Sequence, residues 1–320
     1  MAQDLSYVQT KVDERINDIV STEEMARRPF MEICDPIVLE HGSDTLNTRM
    51  SYGSRGWEAR VAGTPATKTE LKSVLASTSV AAYKKNTTFE YDDPIDTILN
   101  WVTESVMGFL DAVDRGFWTI LATANAIERS ATPAISGLAA TGGGKIYLAD
   151  SFTVSPLNGG ADFVQANAFS DTLTTAYLAA GLNARANWQT VGGDPDHVPG
   201  KPFLWHVNGV SDSVKTVLGP RTYSGGGLVG GYGDSVAGAV ALAPGVTTST
   251  TLWGLYFGRL MALAGQILRG GPVMPVLRKD FSVEFVKSTE DTVYNVLGFG
   301  SYGYFVHPLN FGDMQLHGIS

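Results

Sequence analysis

Cysteine is nearly absent from this chain. Cys34 is the only one among 320 residues, which excludes an intrachain disulfide and a thiolate cluster for zinc or iron–sulfur. Positive charge is also scarce: 23 Lys and Arg stand against 32 Asp and Glu, for a net charge of -9. That balance argues against a surface that grips nucleic acid by counterion release and leaves room only for local basic patches. Long hydrophobic runs are missing as well. The most apolar late stretch, 252–268, is interrupted by Arg259, Gly254, Gly258 and Gly265, so it does not read as a membrane span. Asp4, Lys11, Asp13, Glu14 and Arg15 break up any signal-peptide core near the start. The expectation is a soluble chain that either suits a reducing compartment or is indifferent to redox. Hydrophobic residues make up 44%, enough for one large domain or two smaller ones and too many for disorder.

The longest helical pattern runs from Pro94 to Ile127. Ile95, Ile98, Leu99, Val102, Val106, Phe109, Leu110, Val113, Phe117, Ile120, Leu121, Ala124 and Ile127 recur at steps of three and four and so wind onto one stripe. Asp93 is placed to cap this helix, and Pro94 suits its first position. At about 1.5 Å per residue the rod is roughly 50 Å long, with Gly108 and Gly116 as weak points and Gly116 as the place where a kink or break could fall. The stripe alone reads either as a core helix of an α/β enzyme or as the spine of an assembly-forming subunit.

Before it, residues 1 to 30 form an amphipathic arm, with Leu5, Val8, Val12, Ile16, Ile19 and Val20 at helical spacing. Ser21 and Glu24 fit a capping box for a second short turn. Pattern does not decide whether the arm packs on its own domain or on a neighbour. Residues 37–39 give a short strand. From His41 to Asn86 a polar stretch punctuated by Gly42, Gly53, Gly56, Gly63 and Pro65 is too long for a structureless loop of a compact domain and reads as a β-hairpin reaching away from the body.

Beyond the spine, 132–145 reads as a loop and 145–149 as the next element. A helix is expected over 171–180, capped by Ser170, with Leu173, Ala176 and Tyr177 on its buried face and Gly181 past its end. A strand at 203–207 and a helix at 211–218 follow. Residues 225–245 are dominated by glycine and small residues and read as a loop, and 252–268 fits a helix by spacing, although Gly254, Gly258 and Gly265 favour strand and hairpin. The chain closes with strands at 281–286, 292–299, 302–307 and 314–319.

No catalytic motif survives its own context. Gly225, Gly227 and Gly230 match a dinucleotide fingerprint without the strand before or the helix after. Gly142 to Lys145 resembles the end of a phosphate loop, but Ala139 replaces its first glycine and Ile146 stands where a magnesium-binding hydroxyl is needed. Gly233, Asp234, Ser235 and Val236 echo an esterase nucleophile block with an incomplete elbow. Asp194, Asp196 and His197 around Pro195 read as a turn rather than a cation site, and His206 and His307 as histidines within strands. No catalytic residue, cofactor site or metal ligand set is therefore expected.

The run Asp96, Thr97, Ile98, Leu99, Asn100, Trp101, Val102 through Asp111 and Ala112, following Thr88, Phe89 and Glu90, resembles the start of the spine helix in tailed-phage major capsid proteins of the Hong Kong 97 type. Residues 161–182 and 203–218 are similar to the helix, strand and helix of that family's axial domain. The strand-rich close from Asp280 through Val306 to Leu316 resembles the final sheet of its peripheral domain. The specificity lies in the order and spacing of the parts, and 225–245 has no family counterpart.

The resemblance implies an α+β fold of this capsid type. It divides into an N-terminal arm (1–36), an extended E-loop hairpin with peripheral-domain strands (37–93), a peripheral domain with the spine helix (94–150), an axial domain (151–270) and a closing peripheral-domain sheet (271–320). It also implies a structural shell protein and not an enzyme, assembling as hexamers and pentamers into an icosahedral phage head. Scaffold, portal and decoration proteins would be further partners, contact with packaged DNA weak and non-specific, and membrane contact absent. Its location would be the virion, and the host cytoplasm during assembly. Arm and hairpin would be straps ordered mainly by neighbouring subunits, so that a chain starting at Glu32 folds but assembles poorly. One branch of the family crosslinks lysine to asparagine beside a buried glutamate. Lys84, Lys85 and Asn86 lie near the hairpin base, but the full constellation is not visible and no crosslink is expected. An encapsulin-like compartment enclosing protein cargo is the alternative, and an enzyme of unknown type a more distant one.

Overall fold

In the computed structural model the described residues are 5–21, 28–39, 43–52, 59–65, 72–90, 93–122, 139–141, 145–148, 163–166, 168–169, 172–186, 201–218, 236, 238–241, 250–271, 273–278, 282–287, 293–306 and 314–318. Helix α1 (Leu5–Ser21) and the single turn α2 (Phe30–Ile33) lead to β1 (Ile37–Leu39), β2 (Thr45–Tyr52), β3 (Lys72–Ser79), β4 (Ala81–Glu90) and the long helix α3 (Ile95–Leu121). Then come β5 (Ala139–Thr141), β6 (Lys145–Leu148), β7 (Phe163–Ala166), β8 (Ala168–Phe169), α4 (Thr175–Ala186), β9 (Phe203–His206), α5 (Ser211–Leu218) and β10 (Gly238–Ala241). The chain continues as β11 (Trp253–Tyr256), β12 (Arg259–Leu263), β13 (Gln266–Gly270), β14 (Val273–Arg278), β15 (Ser282–Lys287), β16 (Val293–Val306) and β17 (Met314–His317).

The apolar stripe becomes α3, whose 27 residues span about 40 Å. Ala124 and Ile127, expected to prolong it, lie outside the described residues. Pro94, not Asp93, is the N-cap, with extended ψ of 141°, and the Asp93 carboxylate instead accepts the Glu90 N–H at 2.8 Å, fastening the end of β4 to the start of the helix. Neither glycine ends the helix. At Gly116 a Cβ would sit 1.9 Å from the Tyr304 hydroxyl, which donates to the Val113 carbonyl at 2.7 Å. The glycine is thus where a tyrosine from β16 comes down on the helix backbone, and packing overrides the weak helix propensity.

The stripe is buried against two different partners. Ile98, Val102, Val106 and Leu110 meet Val8, Val12, Ile16 and Ile19 of α1 together with Phe89, Val283 and Val296. Val113, Phe117, Trp118 and Leu121 join the larger core, which includes Phe30, Ile33, Tyr256 and Val273. The arm therefore covers its own spine, which corrects the expectation that it is ordered mainly by a neighbouring subunit. Four apolar residues at a helical spacing find a matching stripe within the same chain, so no second copy is needed to bury them. Ser21 is the last described residue of α1, and the second turn expected after it, with Glu24, lies outside the described residues.

Beneath α3 lies a five-stranded sheet in the order β1-β14-β16-β15, with β4 pairing along β16. The strands expected at 292–299 and 302–307 are one 14-residue strand, β16. Gly300 and Gly303 within it make room: a Cβ at Gly300 would meet the Phe109 ring at 2.6 Å, and one at Gly303 the Ser79 carbonyl at 2.8 Å. The polar excursion is narrower than expected. Strands β2 and β3 pair from Thr45↔Ser79 to Tyr52↔Lys72, but from Ala81 onward the strand joins the main sheet, Ala81 facing Tyr302 and Glu90 facing Val293. Lys84, Lys85 and Asn86 thus belong to the sheet.

The second five-stranded sheet runs β10-β9-β11-β17-β8. Every residue of β11 is buried, as expected for a strand covered on both faces. The closing strand β17 belongs here, paired with β11 and β8, and this corrects the expectation of a single final sheet over 271–320. Its pattern alone could not name a partner sheet. Helix α4 starts at Thr175, later than expected, because the Thr174 hydroxyl accepts the Tyr177 N–H at 3.2 Å. It runs on through Gly181, and Tyr177, placed on the buried face by spacing, is 46% exposed.

The stretch 252–268 forms β11 and the hairpin β12–β13, as its glycines suggest. Leu263 pairs with Gln266 across a two-residue turn in which Ala264 and Gly265 have φ of 51° and 75°. Both signs are those of a type I′ turn, which favours Asn-Gly. Ala264→Asn is expected to stabilise the chain by a few tenths to about 1 kcal/mol by relieving left-handed backbone strain, read as a higher urea midpoint; a lower midpoint would contradict the turn assignment.

Candidate functional site

The described residues present surfaces that hold and expose chain, and the first is the joint between α1 and β1. Phe30 N–H and Trp118 Nε1 both donate to Asp114 Oδ1 at 3.1 Å, and the Arg28 guanidinium pairs with Asp111 on the same helix. Burial pushes the Asp114 carboxyl up, against the pull of these two donors and of Arg28. On the other side, Asp35 N–H donates to the Arg269 carbonyl and Arg269 N–H to Asp35 Oδ2, each at 2.7 Å. The Arg269 guanidinium reaches the Met31 carbonyl, and Gln266 Nε2 donates to the Val38 carbonyl at 2.8 Å. Residues 28–38 are thus fixed to the spine and to the β12–β13 hairpin. Sequence reading overlooked Asp114, although a carboxylate one residue from Val113 and four from Trp118 on an apolar stripe is a signal for a buried acceptor.

The second surface is where α3 crosses β16 and β4. Ser105, Gly108 and Ala112 on the helix oppose Gly298 and Gly300 on the strand, and small residues on both sides leave a cavity of about 370 Å³. Tyr83, Lys84, Lys85, Phe109 and Tyr302 complete its walls. Tyr83 and Tyr302 stack at 4.4 Å, Phe109 meets Tyr302 edge-on at 5.5 Å, and Lys85 Nζ stands 5.5 Å from the Trp101 ring centre. Burial, followed by the hydrogen bond with Tyr83, pushes the Tyr302 phenol up to about 12, so it keeps its proton at neutral pH.

Of the residues singled out in the sequence, Lys84 and Lys85 line the second surface. Gly225, Gly227, Gly230, Gly233, Asp234, Ser235, Asp194, Asp196, His197, His307 and Gly142 lie outside the described residues, while Ala139 is in β5, Lys145 and Ile146 are in β6 and Val236 is buried. Cys34 is fully buried and burial pushes its thiol up, away from nucleophilic use. Among the described residues no cluster of three or more His, Cys, Asp or Glu could hold a metal ion, and no helix is long and apolar enough to cross a membrane.

His206 is buried in β9, its Nδ1 3.0 Å from the Val207 carbonyl. The register sets both His206 and His317 against Trp253, and the His317 ring stacks on Trp253 at 3.8 Å. Desolvation lowers the His206 pKa from 6.5, opposed by the Val207 hydrogen bond. A neutral folded histidine that charges on unfolding adds stability above about pH 6.5, lost as pH falls through that value toward the lower folded pKa. The melting midpoint should therefore drop between about pH 7.5 and 5.5, and less so in His206→Gln; parallel profiles would show that His206 is not the group responsible.

No protein-family model and no curated protein matches the chain. Among solved structures, it is similar to a chain of the cyanophage Pam1 capsid asymmetric unit at 14% identity, covering 92% of this chain and 93% of that one with a TM-score of 0.49. It is also similar to a virus-like particle from Pyrococcus furiosus, at 8% identity, 98% of both chains and a TM-score of 0.46. The holo-SrpI encapsulin complex from Synechococcus elongatus matches at 11% identity, 92% of this chain and 88% of that one, with a TM-score of 0.44.

Proposed function

We propose that this chain is the major capsid protein of a tailed bacteriophage, of the Hong Kong 97 type, a shell-forming structural protein rather than an enzyme. The observation that carries the reading is the β2–β3 ladder. Eight residue pairs form a two-stranded sheet of their own, outside both larger sheets. At about 3.3 Å per residue it extends roughly 26 Å, and an isolated two-stranded hairpin is marginal in water. A neighbouring subunit supplies the missing cover. In this reading β2 and β3 are the arms of the E-loop, α3 is the spine of a peripheral domain completed by β4 and β14–β16, and the sheet built on β9 and β11 is the axial domain. Boundaries near 36, 93, 150 and 270 follow, with β17 crossing back into the axial sheet.

The subunits close as hexamers and pentamers into an icosahedral head, in the host cytoplasm and then in the virion, with scaffold, portal and decoration proteins as partners. The acidic chain, at -9, suits weak contact with packaged DNA. Electron microscopy of the recombinant chain is the test: closed particles are expected, and a chain that stays dispersed at high concentration contradicts the proposal. Particles from the native host should hold genome, whereas enzyme cargo would make this an encapsulin-like shell. Boiled particles should run as one band at the monomer mass, since no crosslink is proposed at Lys84, Lys85 or Asn86; a ladder of multiples would overturn that.

A further inference from the structure

Three strand edges border the sheet under α3, and two of them are guarded. Gln9 Nε2 of α1 donates to the Val283 carbonyl on β15 at 2.9 Å, and Gln266 Nε2 covers β1 through the Val38 carbonyl. The third edge, along β4, is different. Glu90 turns both backbone groups away from β16, its N–H to the Asp93 carboxylate and its carbonyl to the Asp93 N–H at 3.1 Å. In an antiparallel ladder residues alternate between facing the partner and facing away. Thr88, Asn86, Lys84 and Ala82 therefore point their N–H and C=O groups outward as Glu90 does. Among the described residues no hydrogen bond meets those outward groups, while Ala81 to Glu90 are exposed apart from Thr87 and Phe89. The cavity walled by Tyr83, Phe109 and Tyr302 lies beside this edge.

We infer that β4 is an assembly edge, onto which a second copy of this chain adds an extended strand and places a side chain in the adjoining cavity. This rests on the shell reading and names one of its contacts. Backbone pairing supplies affinity in such strand addition, and a neighbouring pocket supplies specificity. Charge identifies the occupant. Lys84 and Lys85 make the edge locally basic in a chain of net charge -9, so an acidic segment of another copy complements it. The same lysines disfavour β4 against β4 across a two-fold axis, which would bring like charges face to face. The contact is therefore heterologous, joining two different surfaces, as rings and shells require.

Proline offers a selective test, because an edge strand tolerates it where the N–H faces outward. Asn86→Pro removes an outward donor and leaves the bonds to β16 in place, whereas Thr87→Pro removes a donor that β16 uses. Sedimentation and electron microscopy of the full chain, with hydrogen exchange of the 81–90 peptide against concentration, give the readouts. In the expected result wild type forms particles with 81–90 protected, and Asn86→Pro keeps its melting midpoint but sediments as dissociated subunits. Thr87→Pro lowers the midpoint. Wild-type particle yield from Asn86→Pro overturns the edge contact and leaves the shell reading standing. Smaller oligomers with 81–90 protected only on association support the edge and overturn the shell. A chain that remains monomeric, or in which 81–90 is protected independently of concentration, overturns the inference.

Discussion

A chain beginning at Glu32 is expected to lose its fold, and not only its ability to assemble. Removing residues 1–31 takes away Val8, Val12, Ile16 and Ile19, which cover the N-terminal half of the spine, and the fully buried Phe30. Burial of one such side chain is worth about 1.5–3 kcal/mol, an upper estimate since an unfolded chain already hides part of its surface. Five of them amount to roughly 8–15 kcal/mol gross, of the order of the whole stability of a domain. The Asp114 carboxylate also loses its Phe30 N–H donor while remaining in the core. Insoluble protein, or soluble protein without a cooperative urea transition, is the predicted outcome. A soluble chain with the full-length midpoint would mean that α1 contributes little to the subunit and would restore the strap reading. A graded version avoids total loss: Val12→Ala should lower stability by about 1–3 kcal/mol without altering particle geometry.

The fate of α1 marks where sequence reading stops. Its stripe was legible, and so was the stripe of α3, because both follow a helical period. What no period contains is that the two stripes belong to each other. Glycine was misread for a related reason. Gly116 and Gly181 each looked like an interruption, yet each lies within a regular element, and Gly116 and Gly300 are the points where Tyr304 and Phe109 close on the backbone. Local propensity counts the missing side chain as a cost, whereas packing uses the vacancy. Asp114 escaped notice because it was sought among clustered ionisable groups, and its partners are a backbone N–H and an indole. The β4 edge was invisible until β16 was known to lie on only one side of it.

Val106→Asp is the single substitution expected to do most harm, and the contrast with Phe109→Asp measures why. Both residues belong to the stripe by spacing, but Val106 is 0% exposed in the apolar cluster that holds Val8, Val12, Val102 and Val296. Phe109 is only partly buried and borders the open cavity beside Lys84 and Lys85. A carboxylate at 106 must either stay charged without a partner or take up a proton, a cost of several kcal/mol on top of the lost methyl contacts. At 109 the same group can turn toward the cavity mouth and its lysines, so the main loss is the contact of the ring with Tyr302 and Gly300. The expected order is therefore insoluble Val106→Asp and soluble but weakened Phe109→Asp, with urea midpoints measured for whatever folds. Protonation supplies an internal check. Stability of Val106→Asp should recover relative to wild type as pH falls below the raised pKa of the buried acid, because the neutral form costs less to bury. Equal damage at both positions would show that the two sides of the stripe are equally enclosed. A harmless Val106→Asp would show that α1 does not cover the spine.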